Sequence, residues 1–148
     1  MRTMDAVRRS GVAIGPYRTA REAAEIMEQA GVGAIVVVEE DRPIGILTDR
    51  DLVRRVLATG QGSDVRVDSV MSSPVVTIDA DADLHDAFAR FRTHGLRRLV
   101  VERDGRFTGM ITVDDLLVDV AADLADLARP VAGEIIFGQR DPAVPATA

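Results

Sequence analysis

Residues 45–52 read Gly-Ile-Leu-Thr-Asp-Arg-Asp-Leu, and residues 109–116 read Gly-Met-Ile-Thr-Val-Asp-Asp-Leu. The two stretches lie 64 positions apart, and at this spacing Val12–Leu52 aligns with Val76–Leu116 without a gap. Eleven of these 41 positions are identical, including two glycines and a Val-Val pair. Self-similarity at a fixed interval is typical of a duplicated structural unit. The chain is therefore predicted to contain two copies of one small unit.

Each unit is predicted to run β-α-β-β-α. In the first copy, a short strand precedes a helix that begins with the capping box Thr19-x-x-Glu22 and ends at Gly31. The β-branched run Ala34–Val38 predicts a buried strand, and Ile44–Leu47 predicts its hairpin partner. A helix closes the unit, and the second copy repeats the pattern. This alternation predicts an α/β (α+β) fold.

The predicted organisation is a first repeat over 1–62, a second repeat over 63–128 and a C-terminal tail over 129–148. The segment Thr59–Asp68, rich in Gly, Ser and Asp, lies between the two units and predicts a linker. The last helix is predicted to end before Pro130, because proline cannot donate a backbone hydrogen bond. Glu134–Phe137 has strand-like character, and disorder is predicted from Asp141 onward.

The composition limits the partners that the chain is expected to bind. Its net charge is −6, so neither nucleic acid nor an anionic membrane surface is an expected partner. No apolar run is long enough to cross a bilayer, and a cytoplasmic protein is expected. All basic residues are Arg, and the chain has neither Lys nor Cys. These absences exclude Schiff-base and thiol chemistry, whereas Arg suits phosphate and carboxylate groups.

The sequence Gly-x-x-Thr-x-x-Asp occurs once in each unit, where a strand runs into a helix. The Thr hydroxyl and the free helix N–H groups can meet a phosphate oxygen, and the carboxylate can accept hydrogen bonds from ribose hydroxyls. A single Thr-x-x-Asp would more often be a helix cap alone. Two copies in register favour a binding function.

Catalytic chemistry is not indicated. The only histidines, His85 and His94, lack the spacing of metal ligands. The acidic residues near the two motifs have no accompanying nucleophile or base. The chain is expected not to be an enzyme and to require no cofactor.

The motifs together resemble a tandem pair of CBS domains, the module named after cystathionine β-synthase. The resemblance covers Val12 to about Val120 and rests on three groups of residues. One is the helix motif from Pro16 to Gly31, another is the Gly45–Leu52 stretch, and the third comprises Met71–Thr77 and His94–Val101. It implies two repeats related by a pseudo-two-fold axis, with clefts that bind AMP, ATP or S-adenosylmethionine as regulatory ligands.

The resemblance also implies the binding residues. In one cleft these are Ala13, Ile14, Ile35, Thr48 and Asp51; in the other they are Thr77, Ile78, Leu99, Thr112 and Asp115. The alternative is a protein-interaction or dimerisation module that works without a ligand. In either case a homodimer through the repeat-closing helices is expected, with an unknown regulated protein as a further partner.

The arginines predict that the two clefts differ. Arg50, with two further arginines close by, flanks Asp51, whereas Asp115 sits beside another aspartate. Local charge therefore predicts that Asp51 contributes more to binding than Asp115 does. Arg97 and Arg98 could supply positive charge to the second cleft across the interface between the repeats, and they are included among the binding residues. For the arginines after Asp51, a solvated helix face with salt bridges is an equal alternative.

Overall fold

Two three-stranded sheets with helices packed on them form the fold. The structure is a computed structural model that describes residues 2–7 and 11–138, with side chains described up to Pro130. The elements, in chain order, are a 3-10 helix (Thr3–Ala6), β1 (Ala13–Ile14), α1 (Ala20–Ala30), β2 (Ala34–Glu39), β3 (Arg42–Thr48), α2 (Asp49–Leu52) continuing as a π-helix (Val53–Leu57), α3 (Val67–Val70), β4 (Thr77–Asp79), α4 (Leu84–His94), β5 (Arg98–Arg103), β6 (Arg106–Thr112) and α5 (Val113–Gly138).

Both sheets have the same topology, which confirms the predicted duplication. In the first sheet β1 pairs in parallel with β2, and β2 pairs antiparallel with β3. In the second sheet β4, β5 and β6 pair in the same way. Each antiparallel pair contains a register shift next to its hairpin turn. The second turn places Asp104 and Gly105 at positive φ, as a tight hairpin requires. The predicted fold class is confirmed.

The first helix begins and ends at the predicted residues. Thr19 caps α1, and its hydroxyl oxygen accepts a hydrogen bond from the Glu22 N–H at 3.1 Å. Arg18 donates a hydrogen bond to the Glu22 carboxylate, which lowers the pKa of that carboxyl. Gly31 ends α1 at φ 64°, and Gly95 ends α4 at φ 61°, a conformation in which a side chain is disfavoured.

Each repeat has its own hydrophobic core between its sheet and its helices. Ile35, Val37 and Leu47 are fully buried in the first core, where they pack with residues of α1. Leu99 and Ile111 occupy the matching places in the second core. The alternate residues of β2 and β5 point the other way, because successive side chains of a strand face opposite sides.

The segments that precede each repeat pack on the other repeat. Ala6 is fully buried in the second core, and the Met4 N–H donates to the Ala80 carbonyl at 3.0 Å. Correspondingly, Val67 and Val70 are buried in the first core. Residues 3–7 and 67–71 are themselves 64 positions apart, so the exchange follows the duplication. The part of the predicted linker that reaches Val67 is therefore structural.

The end of the last helix was predicted incorrectly. Helix α5 continues through Pro130 to Gly138 and includes Glu134–Phe137, for which strand-like character was predicted. A proline removes one intrahelical hydrogen bond and raises the cost of the helix without forbidding it. A short β-branched run likewise has only a weak preference that its surroundings can override. The disorder predicted from Asp141 onward lies outside the described residues.

The two sheets meet through the faces that point away from the cores. Val36 and Val100 are fully buried yet belong to neither core, and strand β3 contacts strand β6. The Thr-x-x-Asp motifs at the ends of β3 and β6 consequently lie near this junction. Two clefts open there, one for each motif.

Candidate functional site

The two clefts have related linings, because each combines the beginning of one repeat with the Thr-x-x-Asp strand of the other. The Thr112 cleft has a volume of about 410 Å³. Its lining includes Val12, Gly33, Ala34, Arg98, Thr112 and Asp115. The Thr48 cleft has a volume of about 200 Å³. Its lining includes Ile46, Thr48, Ser72, Val76, Arg97 and Arg98.

The two clefts also differ in their linings at pairs of residues 64 positions apart. Gly33 and Ala34 line the Thr112 cleft, and their counterparts Arg97 and Arg98 line the Thr48 cleft. Gly11 in the larger cleft likewise corresponds to Val75 in the smaller one. The Thr48 cleft thus has arginine and valine at positions where the Thr112 cleft has glycine and alanine.

Thr48 and Asp51 form a complete capping box at the start of α2. The Asp51 N–H donates to the Thr48 hydroxyl oxygen at 3.0 Å, and the Thr48 N–H donates to an Asp51 carboxylate oxygen at 3.0 Å. The Asp51 side chain is only 14% exposed. Asp51 is not part of the Thr48 cleft lining. The Asp51 carboxylate, to which the sequence assigns the larger part in ligand binding, is therefore already used to cap α2.

Thr112 and Asp115 make only half of this arrangement. The Asp115 N–H donates to the Thr112 hydroxyl oxygen at 3.0 Å. Among the described residues, nothing donates a hydrogen bond to the Asp115 carboxylate, which lies in the lining of the Thr112 cleft. This carboxylate is thus free to accept hydrogen bonds from a ligand in the larger cleft.

The arginines that follow Asp51 point elsewhere. The Arg55 guanidinium donates to the carbonyl oxygens of Val70 and Met71 at 3.0 and 2.8 Å, and it lies 4.0 Å from Asp51. It therefore fastens the exchanged α3 segment to the first repeat. Neither Arg50 nor Arg54 contributes to the lining of either cleft.

Arg97 and Arg98 lie at the clefts. Arg98 is partly buried and lines both of them. Arg97 lines the Thr48 cleft and forms an ion pair with Asp114 at 3.3 Å. Asp114 belongs to the lining of the Thr112 cleft, so this pair connects the two clefts.

The remaining predicted site residues do not line the clefts. Four of them are buried in the hydrophobic cores: Ile14, Ile35, Ile78 and Leu99. The other two, Ala13 on β1 and Thr77 on β4, belong to neither cleft lining. Sequence reasoning missed the small residues Gly33 and Ala34. The signal that could have identified them is the difference between the repeats, because Gly33 and Ala34 align with Arg97 and Arg98.

The capping box leads to a prediction about stability. The variant Asp51→Ala is expected to lower the free energy of unfolding by about 1 kcal/mol, because it leaves the partly buried Thr48 N–H without its acceptor. Its counterpart Asp115→Ala is expected to cost less, because it removes no such bond. Urea unfolding followed by circular dichroism measures both values. Equal losses in the two variants would contradict this assignment.

A third cavity lies apart from the clefts, between α4 and α5. This α4–α5 groove has a volume of about 510 Å³, and Phe88, Phe91, Leu116 and Val120 contribute to its mainly apolar lining. Several apolar side chains beside it or on α2 and its continuation are more than half exposed; these are Val53, Leu57, Leu117, Val118, Leu124 and Leu127. This surface is unusually apolar for one that faces water.

The described residues contain neither a membrane-spanning helix nor a cluster of metal-binding side chains. None of the described helices combines the length and the apolar character needed to span a bilayer. In the same part of the chain, no three carboxylate or imidazole groups converge closely enough to hold a metal ion.

Comparisons with known proteins agree with this architecture. The model of the CBS domain family matches residues 5–58 and 67–122. An uncharacterised protein from Methanopyrus kandleri is 38% identical over 76% of this chain, a match that spans 59% of that protein. A CBS domain-containing protein from Bacillus subtilis is 37% identical over 72% of this chain and 76% of its own length. The structure of a CBS domain protein from Pyrobaculum aerophilum complexed with AMP has a TM-score of 0.72 at 26% identity, covering 82% of this chain and 99% of that one.

Proposed function

Because the chain belongs to the CBS domain family, we propose that it is a regulatory module that binds an adenosine-containing ligand in the Thr112 cleft. The observation that carries this proposal is the Asp115 carboxylate, to which no described residue donates a hydrogen bond, in a cleft of about 410 Å³. Small-molecule sites usually measure roughly 300–1,000 Å³, so this cleft is large enough and the Thr48 cleft is not. The AMP complex of the Pyrobaculum aerophilum protein supports the choice of ligand.

The groups in the Thr112 cleft suit the parts of a nucleotide. Asp115 would accept hydrogen bonds from the two ribose hydroxyls, and the adjoining lining at Val12 and Ala34 offers apolar contact to a planar base. Arg98 and the Thr112 hydroxyl would donate to the phosphate, and Thr112 also stands at the start of the long helix α5. Binding would need no bond making or breaking, in keeping with a regulatory role and not a catalytic one.

The charge of the cleft favours a ligand with few phosphates. Among the described residues of its lining, Asp114 and Asp115 bring two negative charges and Arg98 brings one positive charge. AMP or S-adenosylmethionine should therefore bind better than ATP, because each added phosphate increases the repulsion from the carboxylates. The bound state would be communicated to a regulated partner protein.

A ligand screen tests the proposal. AMP, ATP and S-adenosylmethionine are each added in excess to the full chain, and the melting temperature is measured by differential scanning fluorimetry with an added dye. A ligand that binds only the folded state must raise the melting temperature. AMP is expected to raise it by several degrees and by more than ATP does. If none of the three ligands raises it, the nucleotide proposal is wrong.

The exposed apolar surface favours a second role, which is assembly. We propose that the chain forms a homodimer in which α2, its continuation and α5 of one protomer cover those of the other. The support is the set of apolar side chains on these helices that are more than half exposed, together with the adjoining α4–α5 groove. A two-fold arrangement would cover the same surface on both protomers. If no ligand binds, this interaction role remains as the function.

A further inference from the structure

The Thr48 cleft has a different chemistry from the Thr112 cleft. Its lining contains two guanidinium groups, from Arg97 and Arg98, and two hydroxyls, from Thr48 and Ser72. No carboxylate is found among the described residues that line it. All four groups can donate hydrogen bonds, and the guanidinium has the planar geometry that matches phosphate oxygens.

The size of this cleft also argues against a second nucleoside. Its volume of about 200 Å³ is half that of the Thr112 cleft, and Arg97 and Arg98 stand at the positions that correspond to Gly33 and Ala34. A pocket this small falls below the roughly 300 Å³ at which sites for drug-sized ligands begin. A tetrahedral oxyanion is compact enough to enter it.

The positive charge at this cleft is incompletely balanced. Arg98 is partly buried, and no carboxylate of the described residues lies within 4 Å of its guanidinium. The ion pair between Arg97 and Asp114 joins side chains that are 74% and 73% exposed, so water weakens it strongly. An anion that entered the cleft would therefore gain two charge-assisted partners and would displace little existing pairing.

We propose that the Thr48 cleft is an oxyanion site that binds a phosphate group through Arg97 and Arg98. The duplication thus produced two clefts with separate tasks: the Thr112 cleft accepts a nucleoside, and the Thr48 cleft accepts phosphate. This inference does not need the proposed nucleotide function, because inorganic phosphate can bind without any nucleotide present.

The shared residue Arg98 adds a consequence that links the clefts. Inorganic phosphate in the Thr48 cleft and the phosphate of AMP in the Thr112 cleft would both be drawn to the same guanidinium. Phosphate should therefore weaken the binding of AMP severalfold. It should leave the binding of adenosine, which carries no charge, nearly unchanged.

Calorimetric titration of the full chain with inorganic phosphate at constant ionic strength tests the site. Arg97→Ala and Arg98→Ala are each expected to weaken phosphate binding by about tenfold, the loss of one charge-assisted contact. Alanine is compatible with position 98, because the first repeat carries Ala34 at the matching place. Arg54→Ala serves as the matched control, since Arg54 is exposed and lines neither cleft, and it should change binding by less than about twofold.

Two further titrations distinguish a failure of the oxyanion site from a failure of the proposed nucleotide function. Pyrophosphate is titrated beside inorganic phosphate, and tighter binding of pyrophosphate would identify a phosphate chain as the preferred source of the oxyanion. Adenosine is titrated into the wild type and into Arg97→Ala, where equal affinities are expected. Absence of saturable phosphate binding in the wild type, or equal phosphate binding by the wild type and both cleft variants, overturns the oxyanion site. Absence of adenosine binding alone overturns only the nucleotide function.

Discussion

Replacing Asp115 by Ala is expected to weaken AMP binding by at least about 100-fold, whereas Asp51→Ala should change it by less than about threefold. Asp115 can offer two charge-assisted hydrogen bonds to ribose hydroxyls, each worth roughly 1.5–3 kcal/mol. Its carboxylate lines the larger cleft and is not a hydrogen-bond acceptor for any described residue. The Asp51 carboxylate, by contrast, already accepts the Thr48 N–H. Calorimetric titration of both variants with AMP measures the two effects.

This expected order is the reverse of the one that local charge predicts from the sequence. The matched pair of aspartates, 64 positions apart, makes each variant the control for the other. Melting temperatures of both variants, measured without ligand, exclude unfolding as the cause of lost binding. A larger loss in Asp51→Ala than in Asp115→Ala would restore the order based on local charge and would assign the nucleotide to the Thr48 cleft.

Replacing Leu124 by Glu is expected to convert the proposed homodimer into a monomer. Leu124 is 59% exposed on α5 and belongs to the apolar surface proposed as the interface. A carboxylate buried there without a partner would cost several kcal/mol, which corresponds to a dimer at least about 100-fold weaker. Size-exclusion chromatography with light scattering at micromolar concentration distinguishes the two states.

Ala122→Glu provides the control for this change in charge. Ala122 is exposed on the same helix, one turn from Val118 and Asp126 and on the side opposite Leu124, so the added charge should leave the contacts of the Leu124 side intact. A wild-type chain that is already a monomer at micromolar concentration would contradict the proposed assembly. So would a Leu124→Glu variant that remains dimeric.

The sequence was sufficient to predict most of the fold, because the duplication made each local pattern appear twice. The capping box at Thr19, the glycine that ends α1 and the buried run of β2 are all local signals, and each occurs where it was predicted. The exchange of the segments at Ala6 and Val67 could not be predicted, because it depends on contacts between distant parts of the chain. The length of α5 was missed because Pro130 was given too much weight.

The site was predicted less well, for a related reason. Motif reasoning identified Thr48, Thr112 and Asp115, which do line the clefts. It could not tell that the Asp51 carboxylate caps a helix, because Thr-x-x-Asp is also the pattern of a capping box. Nor could it assign cleft volumes, since these depend on which residues of one repeat face the other. The binding roles of all these residues stay predictions.

A crystal structure of the chain grown with AMP tests the central claim most directly. We expect one AMP per chain in the Thr112 cleft, with its ribose hydroxyls within hydrogen-bond distance of the Asp115 carboxylate and its phosphate near Arg98. The Thr48 cleft should contain no adenine ring. AMP bound in the Thr48 cleft with its ribose on Asp51, or crystals in which neither cleft contains AMP at saturating concentration, would contradict this account.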